Sequence, residues 1–292
     1  MARCLIAVAA CLFAIPVLAQ DVPPGAPVVT EVADGVHVLS WAGGNIGISI
    51  GDDGVVLIDD QYAPMAPKNL AALRGLTDRP LRFVLNTHWH GDHTGGNEAL
   101  TGEGALIIAH DNVRKRLAEG LLLREIPPAP AGALPVVTFD NTVTLHFNGQ
   151  TVHAFHVAPA HTDGDSVVHF RDADVVHTGD LYFNGIYPYI DGQSGGSVQG
   201  VIDGVDRVLE LCGPDTRIIP GHGPVSDCTE LRAYRDMLST VHERIAKLIA
   251  GGASLADVVA EQPTADYDAE WGDGFMPTDR WVPMLYKLMA KQ

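Results

Sequence analysis

Short runs of β-branched and aliphatic residues alternate with segments of helical periodicity through the first half of the chain. The runs predict strands and the segments between them predict helices. The predicted strands are 36–40, 46–50, 55–59, 81–85 and 105–109, and Gly51-Asp52-Asp53-Gly54 predicts a hairpin turn between the second and the third. Helices are predicted around 68–76 and from Asp111, as the capping residue, to about 119; a loop with four prolines follows at 126–135.

The second half of the chain repeats this order of strands followed by helices. Asn148-Gly149 is a strong two-residue hairpin signal between its first two strands. The predicted strands are 143–147, 151–157, 167–170, 175–177 and 217–219, and the predicted helices are 198–211 and 230–250. Because strands followed by helices occur twice, the pattern predicts an α/β fold in which two sheets pack face to face with helices outside.

The first 19 residues have the layout of a secretory signal peptide. Arg3 precedes an apolar run from residue 4 to 18, and Ala19 supplies a small residue at the expected cleavage point. The run is shorter than the ~20 apolar residues that a membrane-spanning helix needs. We therefore predict a periplasmic or secreted protein with no stable membrane insertion after signal removal; lipid attachment at Cys11 is an alternative.

Composition limits the number of domains and the kinds of partner. With 292 residues, 46% of them hydrophobic, the chain can bury a large core. We expect one domain over 20–292, with a core at about 28–250 and a helical cover at 251–292. The formal charge of −17 argues against a nucleic-acid partner, which would require clustered Lys and Arg. A small molecule is the expected partner, and the oligomeric state and the pairing of Cys212 with Cys228 stay open.

The densest group of possible metal ligands directly follows the predicted strand 81–85. Alternate residues of an extended chain point the same way, so His88 and His90 can bind one ion together. Asp92 and His93 follow a turn at Gly91 and can bind a second ion. Imidazole and carboxylate groups are ligands that zinc accepts, and four of them in a Gly-rich loop predict a metal site.

Three further candidate ligands lie where predicted strands end in Gly or Pro loops. His161 follows the strand 151–157, Asp180 follows 175–177, and His222 follows 217–219. Functional residues concentrate in loops that a rigid scaffold positions. Four ligands cannot fill two coordination spheres, so these three are expected to complete them.

The order His-x-His-x-Asp-His, His, Asp, His resembles the metallo-β-lactamase superfamily, and the resemblance covers roughly residues 36–225. It implies a four-layer αβ/βα sandwich of two mixed β-sheets. It also implies that His88, His90 and His161 hold a first metal, that Asp92, His93 and His222 hold a second, and that Asp180 bridges them. Asp59, at the end of an early strand, matches a family Asp beneath the site; the implied role is to orient a ligand loop.

The resemblance implies hydrolysis by a metal-bound hydroxide, since zinc lowers the pKa of bound water to about 7. Asp92 is the implied catalytic residue, which accepts a proton as the intermediate breaks down. The expected cofactor is two Zn²⁺ per chain, with Fe or Mn as alternatives because no thiolate is present to enforce zinc.

The substrate is less narrowly implied, because the superfamily cleaves several kinds of bond. Asp180 resembles the bridging residue of glyoxalase-II-like thioesterases and of lactonases. One major branch of zinc β-lactamases has a Cys there and a Lys three positions later, where this chain has Phe183. We expect cleavage of an ester, lactone, thioester or amide bond, with lactams included among the amides. The alternatives are a β-lactamase proper, with Asn184 or Arg124 replacing the Lys, and a catalytically silent metal-binding protein.

Aromatic and apolar residues near the metal loops predict the rim of the substrate pocket. They are Tyr62, Trp89, Ile126 and the run 182–189. Such a rim favours a neutral or amphipathic organic substrate over a highly charged one.

Overall fold

The structure is a computed structural model that describes residues 25–157 and 159–290. The predicted signal peptide and Cys11 lie outside the described residues. Two β-sheets, of seven and six strands, pack against each other, and helices cover their outer faces. The predicted α/β sandwich of two mixed sheets is confirmed.

The first sheet contains its strands in chain order: β1 (Val28–Ala33), β2 (Val36–Ser40), β3 (Ile46–Gly51), β4 (Gly54–Ile58), β5 (Leu81–Asn86), β6 (Leu106–His110) and β7 (Val137–Phe139). Neighbours from β1 to β4 are antiparallel, and neighbours from β4 to β7 are parallel. The parallel pairing places the carboxyl ends of β4, β5 and β6 at one edge of the sheet.

The second sheet has the order β13-β12-β11-β10-β9-β8. Its strands are β8 (Thr142–Phe147), β9 (Gln150–His156), β10 (Ser166–Phe170), β11 (Val175–His177), β12 (Arg217–Ile219) and β13 (Ser226–Asp227). Only β11 and β12 pair in parallel among them, so the carboxyl ends of these two strands also lie side by side.

The helices pack on the outer faces of the sheets or lie in the connections between strands. They are α1 (Ala66–Leu76), α2 (Gly91–Thr94), α3 (Asn97–Gly102), α4 (Asp111–Glu119), α5 (Val198–Leu209), α6 (Cys228–Ala250), α7 (Leu255–Ala260), α8 (Asp268–Trp271) and α9 (Thr278–Met289). Short 3-10 turns occupy Ala63–Met65, Leu122–Arg124, Ala131–Ala133, Gly179–Leu181 and Gly192–Ser194. None of the helices in the described residues has the length and apolar character needed to cross a membrane.

Apolar residues form the layers that the alternating strand pattern predicts. Val36, Ile58 and Leu85 of the first sheet belong to a buried cluster with Val152 and Val168 of the second. The outer face of the first sheet packs on α1, and the outer face of the second packs on α5, α6 and α9. Burial on both faces holds the strand ends rigid, which is the condition for placing ligand side chains accurately.

The prediction of individual elements is confirmed in most places and wrong in a few. Strands β1, β7 and β13 were not predicted, and the 126–135 loop contains one 3-10 turn. Asp111 is not the cap of α4: it lies in the first turn, and His110 is the N-cap, its Nδ1 accepting from the backbone N–H of Asn112 at 3.2 Å. An imidazole can take this role because an unprotonated ring nitrogen accepts a hydrogen bond.

Cys212 and Cys228 form a disulfide that joins the loop after α5 to the first residue of α6. The two residues are 16 apart in sequence. The bridge therefore closes a short loop and constrains the unfolded chain.

Removing this disulfide should lower the free energy of unfolding by about 3 kcal/mol, the value for a loop of ~15 residues. Urea unfolding of Cys212→Ser/Cys228→Ser against wild type measures the loss. Reductant should destabilise wild type by the same amount and leave the double variant unchanged. An effect of reductant on the double variant would contradict this prediction.

Candidate metal centre

The seven predicted ligands meet at the edge where both sheets end their parallel strands. His88, His90, Asp92 and His93 follow β5, while Asp180 and His222 follow β11 and β12. His161 lies in the loop between β9 and β10. Residues far apart in sequence thus converge because the strands that carry them end together.

The first predicted group is closely packed. His90 Nδ1 lies 2.9 Å from His161 Nε2. The His88 ring lies edge-on to both, with centroid distances of 4.8 Å to His90 and 4.7 Å to His161. His88, His90 and His161, together with Asp180, offer ligand atoms that all lie within 4.8 Å of one another.

The second predicted group is equally compact. His93 Nε2 is 3.4 Å from His222 Nε2. Asp92 Oδ2 is 3.4 Å from His222 Nε2 and 3.7 Å from His93 Nε2. These three side chains could hold one further ion.

The carboxylate of Asp180 lies between the two groups. Its Oδ2 is 3.4 Å from His161 Nε2 and 3.7 Å from His88 Nε2. Its Oδ1 is 3.0 Å from His93 Nε2 and 3.4 Å from His222 Nε2. One oxygen therefore faces each group, which is the arrangement that a bridging carboxylate requires.

Asp59 supports the second group from beneath. It is fully buried and adopts a left-handed backbone with φ 64°. Its Oδ2 lies 2.8 Å from His93 Nδ1 and accepts from the Thr87 hydroxyl at 2.7 Å, while Oδ1 accepts from the Thr87 backbone N–H. Because Asp59 contacts Nδ1, the other ring nitrogen of His93, Nε2, faces the ligand cluster. Carboxylates commonly orient metal-binding imidazoles in this way.

Asp191 supports the first group in the same way, and sequence analysis did not identify it. Its Oδ2 lies 2.9 Å from His90 Nε2, so Nδ1 of His90 faces the cluster. It also accepts from the Ser194 hydroxyl at 2.8 Å. The sequence Asp191-Gly192-Gln193 resembles an ordinary turn, and no local pattern indicates that it reaches a histidine 101 positions away.

His161 is held by main chain instead of a carboxylate. Its Nδ1 donates to the backbone carbonyl of Tyr189 at 2.7 Å, which directs Nε2 into the cluster. His156 and His177, two histidines close in sequence to His161 and Asp180, make no such contact with a ligand among the described residues. His156 stacks on His110 with ring centroids 3.5 Å apart, and His177 lies near the Asn45 carbonyl.

Two glycines allow ligand side chains to lie against the backbone of other loops. A Cβ on Gly44 would lie 2.1 Å from Cε1 of His93. A Cβ on Gly221 would lie 2.1 Å from Oδ1 of Asp180. Any side chain at either position would displace a predicted ligand.

Burial and charge together make the cluster suited to cations. Burial lowers the pKa of His161 to about 4 despite the nearby Asp180 carboxylate, so its nitrogen is available as a ligand. At His222 burial disfavours the imidazolium, yet the Asp180 carboxylate outweighs it and raises the pKa to about 9. The carboxylates thus attract positive charge into a buried space, and metal ions can supply that charge in place of protons.

Two buried ligand atoms without hydrogen-bond partners give an independent test of whether the cluster fits a metal ion. Among the described residues, His88 Nε2 and Asp180 Oδ1 have no hydrogen-bond partner of good geometry, although both are buried. Such atoms are rare and costly without a partner. The donor set of imidazole nitrogens and carboxylate oxygens fits zinc or a similar divalent ion.

A family model, the metallo-beta-lactamase superfamily, matches residues 39–233. The chain belongs to the metallo-beta-lactamase superfamily. The matched segment contains all seven candidate ligands and Asp59, and it ends within α6.

Members of the superfamily resemble the chain at low identity. A probable metallo-hydrolase, YqgX, of Bacillus subtilis is 28% identical over 161 residues, which cover 53% of this chain and 72% of that protein. A hydroxyacylglutathione hydrolase of Pelagibacter ubique is 30% identical over 105 residues, or 36% of this chain and 37% of that protein. A metallo-beta-lactamase from Pontibacter korlensis shares the fold with a TM-score of 0.61 at 21% identity, over 73% of this chain and 99% of that chain.

A cleft of about 1020 Å³ opens beside this cluster of candidate metal ligands. Its lining includes His90, Asp92, Asp180 and His222, and its apolar walls come from Tyr62, Trp89, Tyr189, Phe275 and the segment 126–130. The predicted rim is thus right for Tyr62, Trp89, Ile126 and Tyr189.

The predicted rim is wrong for Tyr182, Phe183 and Tyr187 of the run 182–189, which are fully buried and do not line the cleft. Tyr182 and Tyr187 are fully buried in the second sheet's outer core. The Tyr182 hydroxyl pairs with Ser226 at 3.0 Å, and Tyr187 stacks on Trp281 of α9 at 3.9 Å. Helices α6 and α9 cover this side of the run, so Tyr182 and Tyr187 are core residues, whereas Tyr189 lines the cleft.

Asp59→Asn should weaken metal binding in the His93 group by about 10- to 100-fold, the usual cost of losing a carboxylate behind a ligand. An amide nitrogen in place of Oδ2 cannot accept the hydrogen bonds that His93 Nδ1 and the Thr87 hydroxyl direct to this atom. Chelator competition on purified protein measures the affinity. Asp172→Asn, an exposed carboxylate that accepts from Thr151, is the control and should bind as wild type. Equal affinity in both variants would contradict this role for Asp59.

Proposed function

We propose that the protein is a zinc-dependent binuclear metallo-hydrolase that cleaves an ester, lactone, thioester or amide bond of a small organic substrate. The observation that carries this proposal is the position of Asp180, with one carboxylate oxygen toward each of two ligand groups. A buried carboxylate at this place is costly unless positive charge lies on both sides of it.

The ligand roles follow from the two groups. His88, His90 and His161 would hold one ion, Asp92, His93 and His222 the other, and Asp180 both. Bound ions of this kind supply an activated water and a Lewis acid for the attacked group. The chain's own contribution is to fix the ligands from behind, through Asp59, Asp191 and the Tyr189 carbonyl.

Substrate would approach from the cleft side of the cluster. His88, His93 and His161 are buried beneath, whereas Asp92 and His222 are each 19% exposed and line the cleft. Asp92 is therefore the proposed catalytic residue, because its carboxylate belongs to the ligand cluster and also faces the cleft that a substrate would enter. Burial opposes its ionisation, but His93 lowers the pKa of Asp92 to about 2.

The cleft walls support a substrate with an apolar portion. Ile126 and Pro127 to Pro130 form one side, and Phe275, which is 54% exposed, stands on another. The hydroxyacylglutathione hydrolase relative supports a thioester among the candidate bonds. The disulfide supports the proposed export to the periplasm or medium, since disulfides persist in oxidising compartments.

A β-lactamase proper is less well supported by the site. Phe183 is fully buried and stacks on His222 at 5.0 Å, so no cation extends from this position. Of the two possible substitutes, Asn184 donates to the Pro224 carbonyl, and Arg124 lines the cleft but pairs with Asp191.

Purified wild type should contain two zinc equivalents, and Asp180→Ala should lose at least one and reduce turnover more than tenfold. Loss of the shared ligand opens both coordination spheres. Elemental analysis measures the metal, and circular dichroism confirms that the variant is folded. If wild type contains one zinc equivalent and added zinc does not raise this number, the binuclear proposal is wrong. Full metal and activity in the variant would remove Asp180 from the site.

A panel of one lactone, one thioester, one ester and three β-lactams should give its highest kcat/KM outside the lactams. A missing buried cation for the lactam carboxylate costs ~2–5 kcal/mol, roughly 30- to 4,000-fold in rate. Steady-state rates on the zinc-loaded protein decide it. A lactam as the best substrate by a wide margin would favour the β-lactamase alternative, and no turnover with two zinc ions bound would favour a silent metal-binding protein.

A further inference from the structure

We infer that Arg124 is a positioning residue that couples the cleft-covering segment 120–130 to the ligand His90 through Asp191. The inference rests on the metal site of the proposed function. It assigns a role to a side chain that belongs neither to the ligand set nor to the motif that carries the family resemblance.

Arg124 makes several contacts outside its own segment, with the stretch 189–193. Its Nη2 donates to Asp191 Oδ1 at 2.7 Å and also to the Tyr189 hydroxyl. Its Nε donates to Gln193 Oε1 at 2.9 Å. The planar guanidinium therefore binds three acceptors on the single stretch 189–193, a geometry that the forked donors of arginine provide.

Asp191 pairs with the Arg124 guanidinium through one carboxylate oxygen and contacts His90 with the other. Oδ1 accepts from Arg124, and Oδ2 lies 2.9 Å from His90 Nε2. The residue is fully buried, and Arg124 is the only Lys or Arg that forms an ion pair with it among the described residues. A buried carboxylate that loses its cation is strongly destabilised, so the Arg124 contact helps to hold Asp191 in place beside His90.

The backbone N–H groups of Gly120 and Ala129 tie the two ends of the segment to the carbonyls of Arg116 and Leu117 in α4, but its middle, residues 121–126, has few polar ties besides Arg124. The backbone hydrogen bonds donated within 121–126 end inside the same stretch, including the bridge between Leu121 and Ile126. Leu122 and Leu123 at its tip are 87% and 84% exposed. Among the side-chain hydrogen bonds described for 121–128, those of Arg124 are the ones that leave the segment.

Arg124 therefore connects the cleft wall with the ligand cluster. The segment's apolar residues line the substrate cleft, and the side-chain hydrogen bonds of Arg124 end on Asp191, one contact away from His90. Seating of the segment over the cleft and orientation of His90 are therefore coupled. By linkage, metal binding through His90 should stabilise the seated segment as much as the seated segment favours metal binding.

The test measures zinc affinity by chelator competition in Arg124→Ala, Arg124→Lys, Asp191→Asn and the double variant Arg124→Ala/Asp191→Asn. We expect Asp191→Asn to weaken zinc binding in the group that contains His90 by about 10- to 100-fold. Arg124→Ala should lose about tenfold, and Arg124→Lys should recover part of it because it restores charge but not the fork. The double variant should be no weaker than Asp191→Asn alone, since both changes break one chain of contacts.

Hydrogen exchange supplies a readout that does not depend on activity. Zinc should slow exchange of the amides of 121–126 several-fold in wild type and leave them unchanged in Arg124→Ala. Arg235→Ala is the matched control: it removes a similarly exposed arginine that binds Asp206 with two hydrogen bonds, away from the cluster. Its zinc affinity and the zinc-dependent exchange of 121–126 should equal those of wild type.

The outcomes separate this inference from the proposed function. If wild type binds two zinc ions and Arg124→Ala binds them equally well, or if zinc still slows exchange of 121–126 in that variant, the coupling is wrong and the binuclear site stands. Additive losses in the double variant would also overturn it. If wild type binds no zinc, the proposed function fails first.

Discussion

The buried carboxylate of Asp180, set between imidazole nitrogens of four histidines, is the interaction on which the rest of the structure depends. Taking a carboxylate out of water is costly unless positive charge and hydrogen bonds surround it. Two ligand groups, one at each oxygen, can meet that requirement with two cations. The parallel ends of β4 and β5 in one sheet and of β11 and β12 in the other bring those groups to a common edge.

The ligands are held from behind as carefully as they are placed. A histidine has two ring nitrogens, and a partner on one directs the other. Asp59 does this for His93, Asp191 for His90 and the Tyr189 carbonyl for His161. The close approaches at Gly44 and Gly221 show that the backbone itself forms part of the enclosure. The geometry is therefore a property of both sheets and not of the histidine-rich loop alone.

Sequence reasoning reached the ligands because their signals are local, and it missed features that depend on tertiary contact. His88 to His93 form one dense motif, and His161, Asp180 and His222 each follow a recognisable strand. Asp191 lies in an ordinary turn, and its role exists only through a contact across 101 positions. Tyr182 and Tyr187 were placed at the rim because no pattern shows that the C-terminal helices bury them. Strands β1 and β7 lie at the sheet's edges, where less burial leaves a weaker hydrophobic pattern.

The same division explains why the chemistry can be inferred further than the substrate. The candidate ligands follow strand ends, whereas one cleft wall is the proline-rich loop 126–130 and another is Phe275, which lies in the C-terminal cover beyond the family-matched segment. Those walls are irregular segments whose composition permits many shapes and whose apolar surface selects by size and polarity instead of by a single bond type. An apolar wall gives only modest discrimination between similar substrates, while a misplaced ligand affects every substrate alike. Arg124 belongs to the cleft wall but ends against a ligand's partner, so a change in that segment would alter substrate fit and ligand geometry together.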